Sequence, residues 1–532
     1  MPYFDQLSGS ALQLIAVCYL AATLIVFGTD RFAMPETARL KYMPERDRRR
    51  RLIEYASRLP VVAFVYLFFF TISWRPFYAL QGTASFFIIF TAISRVKFIF
   101  IREPLLFSDI ALVADVFKYK TIFYATKLNV LFWIVAIGYV FGVTALYMLM
   151  EPHMLPEGEE LFFAFLGVAI FVAIIASLFV KPVSRFASIV SERLLRTFKV
   201  RANTIRFGTF SSVTFHFLVW LGKNRDAVVK ELTDGLQRAI HELIDGDNHD
   251  APLIVVWQSE SFYDLRNMGD NQLHLPTIDA LKKRAVQWGR MTNVFEGGYT
   301  LRTEFAVLSG LKPDEVHVDA SYPYLRASHY ADVVWPNKLL KNGWHTHFVH
   351  PYDRTFFMRH KALPLLGFEH MTMLDEFDHT PAADNPYVSD ADLTKKVLHI
   401  IDEVGDAKPS LIFVASMANH GPWGLGRCEG LTEPVEIYRE MLRRADEALG
   451  VLIETLDRST RPVWLAFYGD HAPLLKSYAD PFPDPRTDYF IVPLGGANDT
   501  SAHAPSQARE EAPWNLFETI LLHAKLYKER FA

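Results

Sequence analysis

Residues 463–473 read VWLAFYGDHAP, six β-branched, aliphatic or aromatic residues followed by Gly469-Asp470-His471 and a proline. The first six read as a strand, and the triplet behind them sets a carboxylate and an imidazole side by side at its carboxyl end. Working outward, Pro252–Trp257 (PLIVVW) is a second run of this kind and leads into Gln258-Ser259-Glu260-Ser261, with a carboxylate just past its last apolar residue. His345–Val349 (HTHFV) and Leu411–Ala415 (LIFVA) complete the strand set. Apolar spacing of three and four predicts helices over 276–286, 301–310, 389–404 and 434–457. Strands alternating with helices imply an α/β domain with a central, mostly parallel sheet. In such sheets chemistry collects at the carboxyl ends of the strands, where Glu260, Asp470 and His471 stand.

Carboxylates mixed with an imidazole suit a divalent ion such as zinc or manganese. A lone Glu after a strand is ordinarily a cap or a surface residue, but both motifs together at core-strand ends favour a metal. Cys18 and Cys428 are the only cysteines, which excludes a disulfide framework and any multi-cysteine zinc or iron–sulfur centre.

The 532 residues are 51% hydrophobic, 14% aromatic and 21% charged, and the apolar residues concentrate before about residue 222, which excludes a wholly soluble chain. Stretches able to cross a hydrocarbon core of about 30 Å fall near 11–28, 60–80, 83–101, 130–150 and 161–180. The first is expected to stay as an anchor, since residues 1–10 (MPYFDQLSGS) carry no basic residue and no cleavage site. Phe207–Gly222 (FGTFSSVTFHFLVWLG) is a sixth candidate, balanced between crossing and lying flat at the interface. Basic residues number nine in 30–59, four in 102–127 and seven in 181–206, whereas 1–10 and 151–160 have none. With six spans this alternation places the C-terminal half on the outer face. The run Arg48–Arg51 reads as a solvated loop near anionic headgroups rather than a nucleic-acid site, in keeping with a net charge of −4. No intramembrane carboxylate pair marks an ion relay, so transport is a weak reading. The expected division is a transmembrane domain over 1–222, a helical linker over 223–250 and an extracytoplasmic α/β domain over 251–532.

Between the two carboxylate motifs lies Glu296-Gly297-Gly298-Tyr299-Thr300-Leu301-Arg302-Thr303-Glu304-Phe305, a glycine turn leading into a helix with Thr300 expected at the N-cap. Capping alone explains a threonine there. A hydroxyl at a helix N-terminus also sits where free N–H groups stabilise a phosphoryl group. If a metal bound by Glu260, Asp470 and His471 also touches Thr300 Oγ, the alcohol becomes a nucleophile at neutral pH.

The set Glu260, Thr300 and Asp470-His471, in this order behind five or six apolar spans, resembles the lipoteichoic acid synthase type of phosphoglycerol transferase, within the alkaline phosphatase and sulfatase superfamily. The family pattern Gly-x-Thr-x-x-x-Glu-Phe is met by Gly298–Phe305. Its His and Arg nine residues apart look like His350 and Arg359 in HPYDRTFFMR, and its Ser-x-x-x-His loop looks like Ser416–His420. The resemblance implies that Glu260, Thr300, Asp470 and His471 hold one ion, manganese ahead of zinc or magnesium, and that Thr300 carries the covalent intermediate. It also implies that His350, Arg359, His420 and Phe357 contact substrate, with His420 or His350 as proton donor and Arg359 neutralising phosphoryl oxygens. Phe357 stands where the family has tryptophan. Tyr299-Thr300-Leu301-Arg302 lacks the Cys/Ser-x-Pro-x-Arg signature of sulfatases, which argues against sulfate ester hydrolysis. A single cysteine in the domain argues against the disulfide-bearing phosphoethanolamine transferases.

The reading that follows is a multi-pass protein of a bacterial inner membrane whose periplasmic domain transfers phosphoglycerol from phosphatidylglycerol to an envelope glycan. Its rivals are phosphoethanolamine transfer, a lipid phosphodiesterase, and a transporter or binding protein with a degenerate domain. Singly, His350, His420 and Arg359 have ordinary explanations as core or surface residues; their joint spacing lifts them. Trp257, Trp344, Trp423 and Trp464 read as core or interfacial aromatics.

Overall fold

A computed structural model describes residues 9–112, 118, 130–155, 158–230, 232, 251–292, 299–382, 385–476, 478–479, 482–497 and 508–526. The chain divides into two compact units, Met1–Asn224 and Arg225–Ala532.

The first unit is helical: α1 (Gly9–Thr29), α2 (Arg48–Ser73), α3 (Pro76–Ile101), α4 (Val130–Met150), α5 (Glu160–Ser177), α6 (Lys181–Leu195) and α7 (Thr209–Gly222). The segments containing α1, α2 and α3 are long and apolar enough to cross a membrane; α5 and α6 pass the same test only as a pair bent by 79°. The apolar stretches Ile137–Met150 and Thr209–Gly222 are shorter. Among the described residues, three helices, or four spans if the bent pair counts as one, meet the length and composition of a crossing, fewer than the expected five or six. The second and third spans also break elsewhere than expected, at Trp74-Arg75 rather than near 81. Trp74 adopts φ 52° with its N–H on Phe70 O, and Pro76, which has no N–H to give, opens α3.

The Arg48–Arg51 run is the first turn of α2 and not a loop. Asp47 caps it, accepting from Arg50 N at 2.6 Å. The buried Glu54 one turn on gathers Arg46 at 2.5 Å, Arg50 at 3.3 Å and Arg206 at 2.7 Å. Of the connector expected near 223–246, residues 225–230 are helical and most of the rest lies outside the described residues.

In the second unit the strands are β1 (Leu253–Ser259), β2 (Gln287–Met291), β3 (His345–Val349), β4 (His370–Thr372), β5 (Ser410–Ala415), β6 (Pro462–Gly469) and β7 (Thr487–Gly495). They form one sheet in the order β2-β7-β6-β1-β5-β3-β4. The run β6-β1-β5-β3-β4 is parallel, and β7 is antiparallel to both its neighbours. Every residue of β1 and β5 is buried, as a central parallel strand demands. Val255, Trp257, Ile412, Val414, Leu465 and Phe467 pack in one core with the apolar stripes of α8 (Pro276–Arg284), α10 (Asp390–Val404) and α11 (Pro434–Leu456). The expected tryptophans are all buried.

Candidate active site

Parallel register carries four expected site segments to one edge of the sheet. Glu260 follows β1, Asp470 follows β6, Ser416 follows β5 and His350 follows β3. Because Ser259 pairs with Gly469, the next residues on each strand, Glu260 and Asp470, emerge level with one another. Gly469 is required by close approach: a Cβ there would stand 2.1 Å from Phe262 O. The turn beyond β1 puts Ser261 in the left-handed region, φ 50°, a non-glycine conformation that costs on the order of 1–3 kcal/mol. What holds it is a hydrogen bond from Ser261 N to Asp470 Oδ1 at 2.7 Å.

Three metal-capable side chains converge there. His471 Nε2 lies 3.5 Å from Glu260 Oε1 and 3.4 Å from Asp470 Oδ2. All three residues are buried. Asp470 Oδ1 also accepts from His471 N at 2.9 Å, while Oδ2 is buried and has no hydrogen-bond partner. Burial, then the Glu260 carboxylate, raises the Asp470 carboxyl to about 6. Burial disfavours the charged ring of His471, yet Asp470 and Glu260 outweigh it and its pKa goes up. An orphaned carboxylate oxygen facing a second carboxylate and an imidazole is the surrounding a divalent cation satisfies, and the donor set fits one.

Thr300 comes to the same place. It is the first residue of α9 (Thr300–Ser309), not its cap: Tyr299 occupies the N-cap with no side-chain cap hydrogen bond. Thr300 Oγ is thus spared from capping and points to Glu260 Oε2 at 3.5 Å. One turn on, Thr303 Oγ donates to Asp470 O at 2.9 Å and pins α9 to the end of β6. The glycine turn 293–298 lies outside the described residues.

Beside this group is a second, fully enclosed one. Arg359, 1% exposed, donates through Nη2 and Nε to the two oxygens of Glu304 at 2.7 and 3.2 Å. Glu304 also accepts from Tyr324 at 2.5 Å and Gln258 at 3.2 Å. His350 Nδ1 donates to Ala415 O at 2.9 Å, which leaves Nε2 to accept from Arg359 Nη1 at 3.0 Å. Burial, joined by the Arg359 charge, drives His350 well below the usual histidine range. A neutral ring already accepting at Nε2 has no proton to give, so the donor role foreseen for His350 or His420 does not fall to His350. Phe357, at φ 54°, lays its ring 5.4 Å from the Arg359 guanidinium carbon, a stacking contact in the position where tryptophan was the expected type.

His420 donates from Nδ1 to Gly421 O at 2.7 Å, with Tyr387 OH 3.3 Å from the same nitrogen. Burial pushes its pKa down to about 4. Tyr387, Asp390, Thr394, Lys395 and Arg427 line a cavity of about 350 Å³ on that side. Sequence reasoning missed Glu304 as the partner of Arg359, although the Thr-x-x-x-Glu spacing held the signal. It also missed Tyr387 and Asp390, which no spacing ties to His420.

The family model described as Sulfatase matches residues 252–526. The chain is 60% identical over 512 residues to the capsular polysaccharide biosynthesis protein RkpI of Rhizobium meliloti (strain 1021), covering 96% of this chain and 95% of that protein. It is 26% identical over 278 residues to a putative cyclic beta-1,2-glucan modification protein of the same organism, covering 48% of this chain and 41% of that one. Among solved structures, the phosphoglycerol transferase GacH of Streptococcus pyogenes in complex with sn-glycerol-1-phosphate aligns with a TM-score of 0.41 at 20% identity, over 56% of this chain and 81% of that one.

Proposed function

The chain belongs to the Sulfatase family, and from that premise we propose that it transfers a phosphoglycerol headgroup from a membrane phospholipid, such as phosphatidylglycerol, to a hydroxyl of a cell-envelope glycan. The observation that carries this reading is the convergence of Glu260, Asp470 and His471 on Thr300 Oγ, in a chain whose other unit holds at least three membrane-length apolar helices. A divalent ion held by Glu260, Asp470, His471 and Thr300 would supply Lewis-acid stabilisation and lower the pKa of the threonine hydroxyl.

The chain's own groups supply the rest. Thr300, presented at the start of α9 with free N–H groups behind it, attacks the phosphorus of the diester. A bond forms from Oγ to phosphorus and the bond to the diacylglycerol oxygen breaks; the proton given up by Thr300 Oγ passes to Nε2 of neutral His420 and from there to that oxygen, which leaves as an alcohol. In the second half a glycan hydroxyl attacks the phosphothreonine, its proton passes to Thr300 Oγ, and the phosphodiester product departs. Arg359, oriented by Glu304 and His350, neutralises phosphoryl oxygens, where most of the catalysis of phosphoryl transfer lies. His350 and Phe357 set the position of Arg359. The cavity beside His420 gives the incoming glycan a place to bind.

The name of the 60% identical relative supports a polysaccharide acceptor. The membrane part, 1–222, keeps the enzyme with a lipid that reaches it by lateral diffusion; 223–250 links it to a catalytic part, 251–532, on the periplasmic side of a bacterial inner membrane. Purified full-length protein with manganese, incubated with lipids labelled in the headgroup, tests the assignment. Label from phosphatidylglycerol is expected in envelope polysaccharide. Label passing from phosphatidylethanolamine alone would make the cargo phosphoethanolamine, and release only as free glycerophosphate would make the enzyme a phosphodiesterase.

A further inference from the structure

At the other end of the sheet from Glu260 and Asp470, the amino ends of β3 and β4 bring a second set of ligating groups together. His347 pairs with His370 in parallel register, so His345, His347 and His370 share one patch at the sheet's edge. The rings of His345 and His370 stack with centroids 4.8 Å apart. Glu369 Oε2 lies 3.7 Å from His345 Nδ1 and 3.8 Å from His370 Nε2.

We propose that His345, Glu369 and His370 form a second divalent-metal site, of the zinc type, which clips β4 to β3. Their ligand atoms all lie within 4.8 Å of one another. Ligands about 2.0–2.1 Å from a tetrahedral ion sit roughly 3.4 Å apart, so the two Glu369 pairs, at 3.7 and 3.8 Å, close with a few tenths of an ångström, and the two imidazoles with at most about 1.4 Å of side-chain movement. Two imidazoles and one carboxylate are the donors that zinc takes, with water free to fill the fourth position.

Two further observations point the same way. His345 Nδ1 is beyond hydrogen-bond reach of Glu369, and its Nε2 is buried without a partner, so this ring is not committed to another structural bond. The Glu369 backbone is fixed in turn, its N–H donating to Thr346 Oγ at 3.0 Å while that hydroxyl donates to Gly367 O at 2.8 Å. The segment between the two histidines carries His350, Phe357 and Arg359, so an ion here closes the loop that bears them and limits its opening.

The test is zinc content after equilibrium dialysis of the detergent-solubilised full chain against micromolar Zn²⁺, for the wild type, His370→Ala, Glu369→Gln and Asp470→Ala. His370 and Glu369 side chains are 53% and 52% exposed, so neither change threatens folding. Each is expected to hold one zinc fewer than wild type, to unfold at the wild-type temperature without zinc, and to show a smaller zinc-dependent rise in that temperature than wild type. Asp470→Ala is expected to retain this ion. Equal zinc content in wild type, His370→Ala and Glu369→Gln overturns the proposal.

Discussion

Arg359 and Glu304 are the pair on which the interior of the candidate site depends. Both are buried, and Glu304 meets two nitrogens of Arg359, the Tyr324 hydroxyl and the Gln258 amide. Removing one member strands a buried charge, which costs about 3–5 kcal/mol, against little for an exposed pair such as Lys341–Asp332. Arg359→Ala is therefore expected to lower the unfolding free energy obtained from urea titration by that amount and to abolish transfer, while Lys341→Ala leaves both near wild type. The buried histidines make a pH prediction. Burial holds His347 at about 3 and His420 at about 4, with His350 also well below its ordinary value. Each has a folded pKa below the unfolded one, near 6.5, so its contribution is full above about pH 6.5 and is lost as pH falls towards the folded values. His471, whose pKa is raised, works in the opposite sense. The carboxyl groups of Asp470, raised to about 6, and Asp390, raised to about 7, also gain as pH falls, so the histidine contribution is read by difference: His347→Gln is expected to lessen the loss of unfolding free energy between pH 7 and pH 4.5 in urea titrations, and a profile unchanged from wild type contradicts it.

Strand ends set the site, so a change at a strand end tests it. Gly469→Ala places a methyl 2.1 Å from the Phe262 carbonyl oxygen, a backbone atom that cannot swing aside. The end of β6 must shift, at a cost of about 1–3 kcal/mol or more, and Asp470 and His471 move with it. Bound manganese per chain, measured after gel filtration, is expected to drop sharply in this variant. The strands that carry Glu260, His350, Ser416 and Asp470 were legible because each is a short run dense in β-branched or aromatic residues. β7 was not: Asp488 and Pro493 interrupt its pattern, though it is buried almost throughout against β6. β2 and β4 are short and polar, and only pairing with a neighbour makes them strands. The candidate ligands Glu260, Asp470 and His471 could be picked out by their positions behind candidate strands, whereas Thr300, at a helix start, came from the motif around it. The Glu304–Arg359 pair joins residues 55 apart, and Tyr387 meets His420 across 33, separations that no local pattern encodes.

Across the whole molecule, composition separated a membrane part from an α/β part, but hydropathy misplaced the helix ends. A proline and a left-handed tryptophan cut α2 from α3, and the basic run expected as a loop became helix because Asp47 caps it and Glu54 binds its arginines. With at least three membrane-length apolar helices, the full chain is expected to stay in the membrane pellet through an alkaline carbonate wash; its release would contradict that reading. In the proposed mechanism the Thr300 hydroxyl, at the head of α9, is the nucleophile towards lipid phosphorus. Intact-mass and peptide mass spectrometry of the manganese-loaded chain, quenched in acid after exposure to phosphatidylglycerol, should show one glycerophosphoryl adduct, mapped to Thr300 and missing from Thr300→Ala. A folded, metal-loaded protein that transfers the headgroup with no adduct on Thr300, or with the adduct on another residue, would contradict the account.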